Sequence, residues 1–216
     1  MLPDNYKRGD SQQYEEMKPD KAREQFAALA RKYRTPKQVQ VFLRKFPYNH
    51  EKDKETLRSA YSALVSGMAH CYEATFLAAA ILEQNGFPPL VISFESQDGL
   101  GHVVFIFKHK GMWGAVARSR DEGLHGRKPV FRSVRDLVWS YYDPYIDNTG
   151  KITEYRVVHL DDTRVDWRSG SKNVWKAEKY MVGLNHTPLK SSLLRYKRVF
   201  KRFKKNGHPA RKPYWW

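Results

Sequence analysis

Ala69-His70-Cys71-Tyr72-Glu73-Ala74-Thr75-Phe76-Leu77-Ala78-Ala79-Ala80-Ile81-Leu82-Glu83-Gln84-Asn85-Gly86 is the most apolar helical stretch in the chain. Ala74, Leu77, Ala78, Ile81 and Leu82 form a broad face at helical spacing, Gly67 breaks what precedes it, and Asn85-Gly86 supplies a stop. The spacing predicts a helix over residues 69–84, apolar enough to lie at the centre of the fold. Cys71, the one cysteine among 216 residues, opens that helix. Unpaired backbone N–H groups and the helix dipole at such a position favour thiolate over thiol. A cysteine buried in mid-helix would instead be a small hydrophobe.

Downstream, Pro88-Pro89 leads into the β-rich run Leu90 to Phe94. Ser96-Gln97-Asp98-Gly99 reads as a turn, His102 to Phe107 as a second strand, Lys110-Gly111 as another turn and Met112 to Arg118 as a third strand. A polar loop spans Ser119 to Pro129. Ser133-Val134-Arg135-Asp136 then starts a capped helix ending before Pro144, and Tyr155 to Leu160 returns as a strand. Upstream, helices are expected from Lys21 to about Arg34, from Thr35-Pro36 to Phe46, and over Thr56 to Ser66, with residues 48–55 as a polar link and residues 1–20 as a loosely ordered lead-in. Lys172 to Tyr180 and Ser192 to Lys205 complete the helices. The class is α+β: a central helix on an antiparallel sheet in a core over 56–160, with a helical extension over 1–55 and a basic one over 161–216.

A hydrophobic fraction of 41% and an aromatic fraction of 14% suffice for a packed core, while a mean hydropathy of −0.73 implies a soluble protein. No apolar run suits a secretory signal or a membrane span, and one cysteine makes no internal disulfide, so the cytoplasm is the expected compartment. The net charge of +16 attracts phosphates, anionic lipid surfaces or acidic proteins without choosing among them.

His102 begins the second strand after Leu100-Gly101, where a neutral imidazole can accept a thiol proton. It lies 31 positions from Cys71 in sequence, so only the fold can join them. Ala69-His70-Cys71-Tyr72-Glu73-Ala74, the apolar helix, Gly101-His102-Val103-Val104 and Gly111-Met112-Trp113-Gly114-Ala115-Val116 together resemble the transglutaminase-like core of the papain-like cysteine protease superfamily. The resemblance covers about residues 60–158 and is greater to bacterial transglutaminase-like proteins than to the protein-crosslinking enzymes. It implies a catalytic triad of helix-start Cys, strand His and a polar residue on the next strand, usually Asp. Four residues after Trp113, where that acid is expected, stands Ala117; Asp121 is the candidate in its place, and Ser119 a weaker one. The implied chemistry is acyl transfer through a Cys71 thioester on a peptide, protein or small amide substrate, without metal or cofactor. Non-catalytic binding of a polyanion through the basic C-terminal region is the alternative.

The remaining histidines are assigned no chemistry. His70 is expected to point to another helical face than Cys71, in a packing or solvent role, while His109, His125, His159, His186 and His208 lack metal-ligand spacing. Arg118 and Arg120, at the start of the loop, either hold a substrate carboxylate or phosphate or make surface pairs. Leu193 to Lys205 is a basic amphipathic helix. It suits nucleic-acid backbone, an anionic membrane or an acidic partner, with Tyr214-Trp215-Trp216 available for stacking, or else packs Leu194, Val199 and Phe203 onto the domain.

Overall fold

A computed structural model of the protein describes residues 19–52 and 54–216. The lead-in expected over 1–20 lies outside the described residues, apart from Pro19 and Asp20, which begin the first helix. The architecture is mixed α/β. Helices α1 (Pro19–Lys32), α2 (Pro36–Leu43), α3 (Ala60–Ser66) and α4 (Cys71–Glu83) precede strands β1 (Leu90–Ser96), β2 (His102–His109), β3 (Met112–Val116) and β4 (Arg127–Phe131). Helix α5 (Val134–Tyr145), strand β5 (Ile152–His159), helix α6 (Trp175–Val182), strand β6 (Thr187–Pro188) and helix α7 (Leu193–Asn206) follow.

The strands form one antiparallel sheet in the order β4-β3-β2-β1-β5-β6. Both faces are covered, so the central strands read as unbroken apolar runs rather than alternations. Val91, Val103, Phe105 and Phe107 pack towards α4 with Phe26 of α1, Val39 and Phe42 of α2 and Met181 of α6. Ile92, Phe94, Val104 and Ile106 pack towards α5 with Leu137, Val138 and Tyr141, joined by Val199 of α7. Segments from both ends of the chain thus share cores with its middle. Phe105 and Ile106 are fully buried on opposite faces, each such side chain contributing about 1.5–3 kcal/mol.

Local chemistry sets the element ends. Thr35 caps α2 in a reciprocal box with Gln38, with Pro36 in the first turn. Helix α3 starts at Ala60, later than Thr56, because Ser59 supplies its cap and the backbone before it is engaged elsewhere. The supposed open loop from Ser119 to Pro129 holds a 3-10 turn at Glu122–Leu124 and the start of β4. Helix α5 runs through Pro144 instead of stopping before it. Proline leaves the Ser140 carbonyl without its helical donor, and Arg127 Nη2 donates to that oxygen at 3.1 Å.

The C-terminal aromatics are not free for stacking. Lys128 N–H donates to the Tyr214 carbonyl at 2.8 Å, Arg127 bridges to Trp215, and Trp216 Nε1 donates to the Ala115 carbonyl at 2.9 Å. The segment covers the β4 edge, which would otherwise present unpaired backbone groups. On α7, Val199 is buried and Tyr196 and Phe200 pack beside it, whereas Leu194 is 77% exposed; the inward face is rotated from the one expected. Among the described residues, no helix is long and apolar enough to cross a membrane.

Candidate active site

Cys71 is the first residue of α4, and the turn before it is built around a buried carboxylate. Glu73 Oε2 accepts the His70 N–H at 3.1 Å, while Glu73 Oε1 accepts the Arg58 N–H and the Thr56 hydroxyl, each at 3.0 Å. His70 takes the cap position that Ser or Thr usually fills: its Nδ1 faces the Tyr72 N–H at 3.3 Å and its Nε2 the Thr56 carbonyl at 2.8 Å. The ring is therefore not turned away from Cys71, and both residues line one cavity. The Thr56 carbonyl only accepts, so Nε2 carries a proton. Burial opposes a charge on the ring, but the Cys71 and Glu73 side chains outweigh it and raise the imidazole to about 9.

His102 enters the same cavity from the sheet. Gly101 precedes it at φ 60°, where a Cβ would stand 2.8 Å from the Phe94 carbonyl, so glycine is required on both conformational and steric grounds. The turn before it is tied by Asp98, whose carboxylate accepts from Leu100 N–H at 3.2 Å, Tyr145 Oη at 3.2 Å and Thr149 Oγ1 at 2.6 Å. The imidazole is 2% exposed, parallel to Phe94, with Tyr141 of α5 beside it. Its Nε2 meets the Leu124 carbonyl at 3.0 Å. A carbonyl only accepts, so this contact fixes the Nε2–H tautomer and leaves Nδ1 as the proton acceptor.

The group that orients His102 is thus main-chain, not the acid expected there. Asp121 does not take that place: it pairs with Arg120 at 3.2 Å and lies 3.8 Å from His208. Ser119 lines the cavity, but the His102 Nε2 that it was a candidate to orient meets the Leu124 carbonyl instead. Ala117 is fully buried on the α5 face, with its N–H and carbonyl both held by the Gln40 side chain at 2.9 Å. A carboxylate there would enter hydrocarbon. Arg127 holds the loop that presents Leu124. Fully buried, it donates to the Gly123 and His125 carbonyls at 2.6 Å and to Ser140 Oγ at 3.0 Å, with its guanidinium 3.9 Å from the Tyr141 ring centre.

Cys71 is half-buried and lines a cavity of about 470 Å³ with His70, His102, Tyr48 and Tyr145. Burial by itself raises its pKa, but hydrogen bonding by His102 and His70, together with their charge, lowers it to about 6. Tyr48 is brought in by a parallel bridge to Ala69. Burial and the neighbouring sulfur push its phenol well above the ordinary value, so it stays protonated and able to donate. Glu51, Glu55 and Glu178 line the same cavity. The sequence reading missed Tyr48, His70 and Leu124. Only His70 left a signal, through Glu73 three positions on, the spacing of a capping box. No protein-family model matches the chain, and no curated protein matches it.

Proposed function

We propose that this chain is a transglutaminase-like cysteine enzyme that cleaves or transfers acyl groups of amides through a thioester on Cys71. The observation that carries this reading is the helix-start thiol, lowered to about 6 by two imidazoles at a cavity open to solvent. An inert structural cysteine needs no such surroundings.

The Cys71 thiolate attacks the amide carbonyl carbon, forming the C–S bond as the C=O electrons move onto oxygen. The Cys71 N–H, which has no helical acceptor, and the Tyr48 hydroxyl are the donors offered to that oxyanion. Collapse breaks the C–N bond, and protonated His102 gives its Nδ1 proton to the departing amine. Neutral His102 then takes a proton from water, or from an acceptor amine, as that nucleophile attacks the thioester and sulfur leaves. Leu124 keeps the ring in register throughout. The carboxylates of Glu51, Glu55 and Glu178 attract an amine that is cationic in solution, which leaves as the ammonium ion or, once it has lost that proton to solvent, attacks as the free amine.

The test is a panel of short peptides carrying Gln, Asn or lysyl amide bonds, with hydroxylamine as an alternative nucleophile. Release of amine or ammonia with capture of a hydroxamate, abolished by Cys71→Ala and by His102→Ala, is expected. Turnover that survives Cys71→Ala would overturn the mechanism.

A further inference from the structure

Beside the cavity of Cys71, and sharing Arg120 with it, lies a second cavity of about 320 Å³. Arg44 from the end of α2, Arg118 and Arg120 after β3, and Arg211 from the C-terminal segment line it together with His125 and Trp215, and Glu122 is the one carboxylate among its lining residues. We propose that this cavity is a binding site for the phosphate or diphosphate group of a small molecule, held by Arg44, Arg118 and Arg211 and reaching along Arg120 towards the thiol.

Four guanidinium groups carry about twenty N–H donors, far more than the chain satisfies there. Arg44 and Arg211 share a single acceptor, the Trp216 main-chain oxygen. Arg118 is anchored by the Phe46 carbonyl at 3.3 Å and the Ser119 carbonyl. Arg120 pairs with the side-chain carboxylates of Asp121 at 3.2 Å and Asp147 at 4.0 Å. Trp215, 6% exposed, keeps its indole Nε1–H without an acceptor.

The cations are also close enough to repel one another. Arg44 is lowered first by burial and then by Arg211 and Arg118, with only Glu122 opposing. His125 is lowered to about 4 by burial and by Arg118 and Arg44, against the pull of the Ser119 carbonyl, and so adds no charge. Cations gathered from three separate chain segments, with Glu122 the one carboxylate side chain in the lining, repel one another and favour an anion among them. Forked guanidinium donors fit phosphate oxygens in pairs. The volume admits a group on the order of ten non-hydrogen atoms, which suits a diphosphate better than a lone carboxylate. Enclosure by Trp215 distinguishes the cavity from the open basic face of α7, where lysines and arginines present point charges to solvent.

The test is calorimetric titration of the full chain with inorganic pyrophosphate, inorganic phosphate and sulfate in turn, and with a mixed-sequence oligonucleotide as the polymeric source of phosphate. Pyrophosphate is expected to bind most tightly, at one site per chain. Arg44→Gln and Arg211→Gln, both at exposed positions, should each weaken it about tenfold or more. Arg198→Gln on α7 and Cys71→Ala should leave it unchanged. Because Cys71→Ala is expected to bind normally, failure of the catalytic reading and failure of this site are separately visible. Absence of pyrophosphate binding, equal binding by the Arg44 and Arg211 variants, or an oligonucleotide that binds through Arg44 and Arg211 more tightly than pyrophosphate does would overturn the proposal.

Discussion

Ionisation of Cys71 can be measured without knowing a substrate, because any thiol-specific probe reports on the one cysteine in the chain. The surroundings lower that group from 9.0 to about 6. At about pH 5.5 roughly a quarter of such a sulfur is thiolate, against about 0.03% for an unperturbed one, a ratio of about 760. A less basic thiolate is a poorer nucleophile, and a Brønsted coefficient of about 0.45 over three units reduces the rate about 20-fold. The net expectation is a reaction about 30-fold faster than that of an ordinary thiol at about pH 5.5, about 4-fold faster at about pH 7, and about 5-fold slower at about pH 8.5. The assay is the rate of reaction with an aromatic disulfide across this range, for the native protein and for His102→Ala. The native profile should cross that of a simple thiol, and His102→Ala should slow the acid-side reaction by about an order of magnitude or more. A midpoint above about pH 8, or a profile indifferent to His102, would refute the reasoning.

Three further outcomes follow from the same geometry. Tyr48→Phe, which removes only the hydroxyl, should lower kcat about 100-fold with KM little changed if that hydroxyl serves the oxyanion; steady-state kinetics on any substrate from the peptide panel reads the split. Arg127→Met strands the Gly123, His125 and Ser140 carbonyls and should lower the unfolding free energy by about 3 kcal/mol or more, measured by urea denaturation. His125 is held at about 4 when folded, against 6.5 when unfolded, so between those values the unfolded chain binds more protons and stability rises with pH. Its contribution is complete above about 6.5 and is lost as pH falls towards 4, by roughly 3 kcal/mol. His125→Gln should flatten that limb in urea unfolding followed over a pH series.

The elements that carry the site were legible because their signals are local. Periodicity and the Asn85-Gly86 stop place α4, and the alternation of turn residues with β-rich runs places β1 to β3. The helix expected from Ala69 begins two residues later, at Cys71, because His70 takes the cap position. The parts that escaped the sequence depend on contacts between distant segments. Leu124 orients His102 through a main-chain carbonyl, an atom every residue possesses, so no residue type announces it. Asp121 looked eligible by its chemistry and its place in the chain, but Arg120 and His208 draw its carboxylate elsewhere. The C-terminal aromatics resembled a free docking tip because no local pattern shows that β4 needs an edge partner. The run through Pro144 was hidden for a similar reason, since the donor that satisfies Ser140 comes from Arg127.

The most direct test of an acylated Cys71 is the intact mass of the protein, quenched within a single turnover of an activated acyl ester. A single added acyl group localised to Cys71, absent from Cys71→Ala and formed far more slowly in His102→Ala at mildly acid pH, is the predicted result. An adduct that forms equally fast without His102, or that resides on surface lysines while Cys71 stays unmodified, would contradict it.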